Sequence, residues 1–473
     1  MGVRTNLLSP YAVSVAARVG AQVNSFVLIM VASRALSLSD FGSYAIAWAF
    51  SVVFTTLVYT GVYHVFLRAK DRAQVADTIF WIQVVTGLIG GATMVSVGVI
   101  ASGFEPQLTS FCLFGLAPIP LIASYGAWNE AQLVRQGRIR TTSLTILTTE
   151  FIGLVAAVLM FQNGYGVEAL IVARFATTLS MAALSTWFVR RRPHFHFDLS
   201  VAKTSLHDAW PLWGSSSLGM SSYYAADFIL AAFLNPTAVG IYRAGARVAN
   251  TAADVVLQPL GTISWARFAR LEANKASNEI GQVWKQNMAL GFTLIVPVMA
   301  SISLLSKPLV DALFDSSWGE VAAIVSILAL ARLTNAFCFL LEPTMACLGK
   351  PRVQFYVTAL SVTLLISLLV SVGSSSLEAA VWSVFANGVI IATLSTFLML
   401  RATKLHFTEF LDTLTPGLAL TVLCVGAIVA LDPTRATMAP LVGLALTVAV
   451  LSVVWFAFVA LMLKRGILVL PTP

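Results

Sequence analysis

From Tyr11 to Leu463 the chain keeps returning to apolar runs of the length a bilayer requires. A membrane helix needs about 20 such residues in a row. Fourteen runs meet that length: Tyr11–Ser33, Gly42–Leu67, Val75–Ala101, Leu108–Val134, Thr142–Phe161, Val167–Val189, Trp210–Leu234, Val239–Phe268, Trp284–Leu305, Val321–Leu348, Val353–Val372, Leu377–Leu400, Phe410–Leu431 and Ala439–Leu463. Only 11% of the 473 residues are charged, against about 25% in soluble domains. So few charges cannot cover a water-soluble body of this size. The expected fold is all-α: a polytopic membrane protein of about 14 transmembrane helices.

The net charge of +8 does not indicate nucleic acid, because its distribution follows the membrane. Taking the connections alternately, one side carries Arg4, Arg68 to Arg72, Arg135 to Arg140, Arg190 to Lys203, Arg267 to Lys285, Lys350 with Arg352, Arg401 with Lys404, and Lys464 with Arg465. The other side has only Arg34, Lys307 and Arg435. This bias predicts that both termini are cytoplasmic and that the number of spans is even. The first apolar run is too long for a signal-peptide core and reads as a retained helix. Cys112, Cys338, Cys347 and Cys424 lie in apolar runs with no metal-ligand spacing, so they read as small buried hydrophobes. No metal or cofactor is expected. Gly349-Lys350 lacks the other residues of a nucleotide loop. His194 and His196 sit in a basic loop and read as solvated.

The chain repeats. Leu36, Gly42 and Tyr44 recur as Leu234, Gly240 and Tyr242 at a constant offset of 198 residues. The basic turn QGRIR after the fourth run recurs as LGKPR after the tenth. Six helices therefore repeat in the same orientation, and transporters built this way place their site between the lobes. The expected domains are residues 1–203 (helices one to six), 204–405 (seven to twelve) and 406–473, an appended helix pair. Pro118, Pro120, Pro259, Pro297 and Pro343 fall inside runs and predict kinks or breaks.

The interior charges are the candidate site. Arg243, Arg247, Asn250, Asp254 and Gln258 follow helical steps along one face, as do Ser14, Arg18, Gln22 and Ser25. Arg174 and Arg332 lie within other runs. An arginine facing lipid costs at least ~2.5–3.5 kcal/mol, so Arg18, Arg174, Arg243, Arg247 and Arg332 are expected to border water. Acids are too few beside them to neutralise such a cavity. It would take an anion, and guanidinium grips phosphate with two prongs. Gln22 joins this substrate-binding set. Arg18 and Arg243 have snorkelling as an alternative. Asp227 and Asp254 read either as structural partners of Arg247 and Arg243 or as ion-coupling groups. Glu150 has no basic neighbour in sequence and is a third ion-coupling candidate.

The connection SRALSLSDFGSYA, its counterpart ADFILAAFLNPTAVGIYRAGARVA and the turns QGRIR and LGKPR resemble those of the O-antigen-type polysaccharide flippases. These belong to the multidrug/oligosaccharidyl-lipid/polysaccharide (MOP) exporter superfamily. The resemblance implies two six-helix bundles in the bacterial inner membrane. It also implies alternating access that carries an undecaprenyl-diphosphate-linked oligosaccharide from the cytoplasmic to the periplasmic leaflet, in lipopolysaccharide or exopolysaccharide biosynthesis. The implied partners are that lipid-linked substrate, membrane lipids, H+ or Na+, and the polysaccharide polymerase machinery. The fourteen-helix count is similar to that of the peptidoglycan-precursor flippases, whose extra helix pair adjoins a groove for the lipid tail. Three rival functions stand beside this one, among them a non-transporting partner of the assembly machinery. A MATE-like cation or drug antiporter of the same superfamily needs an anionic cavity, which the surplus of arginine opposes. A membrane polymerase or ligase needs a large outer loop with catalytic side chains. The longest here, Ser306–Glu320, contains no histidine, so no enzyme is expected.

Overall fold

A computed structural model describes residues 10–69, 73–103, 107–273 and 279–469. The chain is an all-α polytopic membrane protein. It divides into two compact units, Met1–Gly240 and Ile241–Pro473. The first holds α1 (Pro10–Ala32), α2 (Leu38–Val58), α3 (Val62–Arg68), α4 (Ala73–Ala101), α5 (Gln107–Leu116), α6 (Ile119–Arg135), α7 (Ile139–Gln162), α8 (Glu168–Val189) and α9 (Leu199–Phe233). Then follow α10 (Pro236–Ala273), α11 (Ile280–Leu304), α12 (Ser306–Leu313), α13 (Val321–Leu333), α14 (Asn335–Cys338), α15 (Leu341–Cys347), α16 (Pro351–Ser371), α17 (Leu377–Thr403), α18 (Phe407–Ala436) and α19 (Pro440–Lys464). Among the described residues, 11 helical stretches are long and apolar enough to cross a membrane. Three of these are built from consecutive shorter helices: α2 with α3, α5 with α6, and α13 through α15. The three expected runs outside that set fall on α1, α9 and α10.

The breaks have local causes. Pro118 ends α5 and lets α6 begin, as its position predicts. Pro259 and Pro297 instead lie within unbroken helices. The break between α2 and α3 comes at Gly61, which adopts φ 54°, a region that favours glycine. It releases backbone carbonyls that must find new donors inside the bilayer. Trp213 Nε1 donates to the Leu57 carbonyl at 2.8 Å, and Gln83 Nε2 donates to the Val58 carbonyl at 3.1 Å.

The recurring motifs take matching local structure. Gly137 and Gly349 both have positive φ, 71° and 68°. In each turn the glycine N–H bonds three residues back and the next N–H five back, as Gly137 to Val134 and Arg138 to Leu133, then Gly349 to Ala346 and Lys350 to Met345. This is the Schellman pattern. Gly42 and Gly240 lie where the starts of α2 and α10 cross. A Cβ on Gly42 would sit 1.7 Å from the Pro236 carbonyl oxygen, and one on Gly240 would sit 2.1 Å from the Leu38 carbonyl oxygen.

α9 and α10 both run longer than their apolar runs. α9 begins at Leu199 rather than near Trp210, because Asp198 caps it by accepting from the N–H groups of Ser200 and Val201. The added turns are amphipathic, and their Ala202 and Ala209 enter the first unit's core with Phe66, Ile79 and Trp128. α10 begins at Pro236, where Asn235 accepts from the Ala238 N–H at 2.9 Å. In the second unit the core gathers Phe268, Trp284, Phe292, Met299, Leu340 and Phe410. There α18 packs along α11, and α19 packs on α18 and α12.

Candidate functional site

In the first unit the site candidates centre on Arg174 of α8. Its side chain is 12% exposed. Nε donates to the Tyr44 hydroxyl at 3.1 Å. The guanidinium lies 4.3 Å over the Trp48 ring, and that ring stacks on Tyr44 with an interplanar angle of 3°. One turn separates Tyr44 from Trp48 on α2, so a single helix face supplies both a hydrogen-bond acceptor and a π surface. Nη1 lies 3.7 Å from Glu150 Oε2 of α7. Tyr224 of α9 is also within electrostatic reach of Arg174.

Glu150 has no basic neighbour in sequence, and the structure supplies one from the next helix. α7 and α8 form a tightly packed hairpin, which sets residues 24 positions apart in sequence side by side. Asp227 on α9 is fully buried. Near it, Tyr223 and Tyr224 meet edge to face at 4.9 Å, and Phe228 packs against Phe50 of α2 at 4.8 Å. Gln22 is half-buried on α1. The Arg18 side chain lies outside the described residues, as does that of Gln258.

In the second unit Asp254 of α10 lies within electrostatic reach of Arg332 of α13 and Arg247 of its own helix. One alternative paired Asp254 with Arg243. The charges acting on it are instead those of Arg332 first and Arg247 second, because the two-turn step from 247 to 254 keeps both on one face while α13 brings Arg332 alongside. Arg243, Arg247, Asp254 and Arg332 are all half-buried. The structure thus gathers Glu150 with Arg174 in one unit, and Arg247 with Asp254 and Arg332 in the other. Each cluster joins guanidinium to carboxylate, and guanidinium is a group that suits an oxyanion.

Sequence reading missed several features. Tyr44 stood out only as half of a repeat, not as the partner of Arg174. The linker between α8 and α9 is solvated at His194 and His196, as expected, and is also strapped to the start of α4. Buried Asp77 lies 3.5 Å from Arg191 Nη2 and accepts the His194 N–H at 3.4 Å. Trp81 Nε1 donates to the His194 carbonyl at 3.1 Å while its ring stacks on Phe195. The second unit also has an apolar groove of about 580 Å³, lined by Phe337, Phe385, Phe397 and, from the first turn of α18, Phe407 and Phe410.

Comparison with known proteins agrees with this architecture. Residues 31–323 match the family model described as polysaccharide biosynthesis protein. The succinoglycan biosynthesis transport protein ExoT of Rhizobium meliloti (strain 1021) is 21% identical over 405 residues, covering 83% of this chain and 80% of that protein. Among solved structures, the lipid II flippase MurJ in an inward closed conformation superposes with a TM-score of 0.72 at 11% identity, covering 96% of this chain and 99% of its own. An inward-facing multidrug resistance MATE family transporter of the MOP superfamily gives a TM-score of 0.65 at 14% identity, covering 81% and 94%.

Proposed function

Since the chain belongs to the polysaccharide biosynthesis protein family, we propose that it is a transporter that flips a lipid-linked oligosaccharide from the cytoplasmic to the periplasmic leaflet of the bacterial inner membrane. The observation that carries this reading is Arg174, held inside the first unit by Tyr44, Trp48 and Glu150. A guanidinium so fixed keeps N–H groups to offer a pyrophosphate, and it loses little conformational freedom on binding. Arg247 and Arg332, sharing Asp254, provide the equivalent in the second unit. The basic residues concentrated in alternate loops support cytoplasmic termini. The groove beside α18 suits a polyprenyl tail, being lined almost wholly by carbon. The aromatic and hydroxyl groups around Arg174 suit sugar rings.

Coupling follows from the same contact. Substrate pyrophosphate and Glu150 compete for one guanidinium. When the substrate takes it, Glu150 is released from its partner, and this makes it the ion-coupling group of this reading. Asp254 and Asp227 are the corresponding groups beside the other arginine cluster and on α9. A MATE-like antiporter for cations would require an anionic cavity, and against it, among the described residues, both Arg332 and Arg247 act on the Asp254 carboxylate.

The test is a reconstituted flipping assay with a fluorescent polyprenyl-pyrophosphate saccharide in vesicles, with and without a proton or sodium gradient. Wild-type protein should move the probe, and Arg174→Ala should not, although it inserts normally. Unimpaired flipping by Arg174→Ala would remove the basis of the reading.

A further inference from the structure

A cavity of about 660 Å³ opens in the first unit at its basic end, between the end of α3, the start of α4 and the first turns of α9. It lies away from Arg174, which is near the opposite end of α8. Its volume falls within the ~300–1,000 Å³ typical of small-molecule sites. Arg68, Ser205, His207 and Asp208 provide polar wall, and Val65 and Leu212 are among its apolar lining.

The back of the cavity is rigid. Ala202 and Ala209, on the same turns of α9, are packed into the first unit's core. Trp213 fixes the next turn to α2 through the Leu57 carbonyl. Pro211 lies inside α9 and also lines the cavity. A proline has no N–H, so the His207 carbonyl, four residues earlier, has no intrahelical donor. The cavity therefore combines acceptors, at Asp208 and the His207 carbonyl, with donors, at Arg68, the His207 ring and the Ser205 hydroxyl.

That mixture selects among ligand classes. A phosphate is acceptor-rich and would face the Asp208 carboxylate. An acyl chain would leave every polar group desolvated without a partner. A sugar ring presents hydroxyls that both donate and accept, and carbon–hydrogen faces that fit Val65 and Leu212. We propose that this cavity is a saccharide-binding site that receives the sugar headgroup of a membrane-borne glycolipid at the cytoplasmic rim, before the pyrophosphate reaches Arg174. The inference rests on the proposed function and adds a second site to it.

The test uses the full-length protein in nanodiscs of phosphatidylcholine and phosphatidylglycerol. Saturation-transfer NMR is recorded with monoglucosyl diacylglycerol in the bilayer, with free maltose, and with inorganic pyrophosphate followed by phosphorus line width. The glycolipid's sugar protons should receive saturation, with free maltose a weaker ligand. Asp208→Leu should weaken the signal about tenfold, the loss expected for one hydrogen bond to a charged group. Thr204→Trp, which fills the cavity from an exposed position, should abolish it. No transfer to the glycolipid in wild-type protein, transfer unchanged in both variants, transfer to maltose alone, or pyrophosphate binding in place of saccharide binding would each overturn the inference. A protein that flips normally yet gives no sugar signal overturns this site alone. A protein that gives the signal but does not flip overturns the proposed function and leaves the site standing.

Discussion

Gly42 and Gly240 face each other reciprocally: each stands over the carbonyl oxygen of the residue four places before the other, Gly42 over Pro236 and Gly240 over Leu38. Reciprocal contact of this kind is expected when two copies of one motif meet. Neither position has room for a methyl group, because the obstacle on each side is backbone. Gly42→Ala and Gly240→Ala should each cost about 1–3 kcal/mol as overpacking and lower the melting temperature of the purified protein. Retained stability in both would show that the crossing is looser than described.

Arg174 and Glu150 should show energetic coupling. Removing one member of a buried pair costs about 3–5 kcal/mol. Here Glu150 retains 26% side-chain exposure, so about 1–3 kcal/mol of coupling is expected in a double-mutant cycle. Arg174→Ala with Glu150→Ala together should be more stable than the sum of the single losses implies. Thermal unfolding in detergent measures this, and strict additivity would argue against the pair.

If Glu150 carries the coupling proton, Glu150→Gln should still bind a lipid-linked saccharide but flip it at a rate indifferent to a proton gradient. Asp254→Asn is the matched comparison for the second unit. Flipping that still responds to the gradient in Glu150→Gln but not in Asp254→Asn would move the coupling role to α10.

Gly61→Ala places a methyl group 2.2 Å from Trp213 Nε1 at a backbone angle that costs a non-glycine residue about 1–2 kcal/mol. It should lower expression in the membrane sharply. Trp213→Phe removes only the bond to the Leu57 carbonyl and should be milder, about 1–3 kcal/mol for an acceptor left unpaired in a nonpolar setting. Equal effects would mean that packing, rather than the bond, holds the break.

Asp198 caps α9 outside the apolar spans. The Ser200 hydroxyl, then the Val201 and Ser200 N–H groups, hold its carboxyl below the usual carboxylate range. A depressed folded-state value means the contribution is present above the unfolded value, about 3.9, and fades as pH falls through the folded one. Asp198→Ala should therefore melt at a lower temperature than wild type at pH 7, and the gap should close in acid. A gap constant with pH would rule out the charged cap.

The sequence makes the membrane architecture legible because bilayer thickness alone sets the length of each run. The repeat is legible because Gly42 and Gly240, Gly137 and Gly349 are needed for backbone reasons that no other residue meets as well. The start of α9 is hidden, since Lys203, His207 and Asp208 interrupt any apolar run while the alternate face enters the core. A lone glycine in an apolar stretch carries no sign of its own, so the break at Gly61 could not be read without Trp213. The Glu150–Arg174 pair depends on how the α7–α8 turn sets the hairpin register, which no spacing rule along one helix contains. Asp254 presents the same difficulty, since its stronger basic neighbour, Arg332, comes from a different helix.

α9 is a rod of 35 residues, held near its root by Ala202, Ala209 and Trp213 and farther along by Phe228 against Phe50. Beyond Trp213 it extends about 30 Å to Phe233 at helical rise. A rod of that length works as a lever: a tilt of about ten degrees displaces one end relative to the other by about 5 Å. Asp227 lies near the far end, so a small rocking of α9, together with the α2 face that Phe228 packs on, becomes a side-chain-sized displacement of a buried carboxylate.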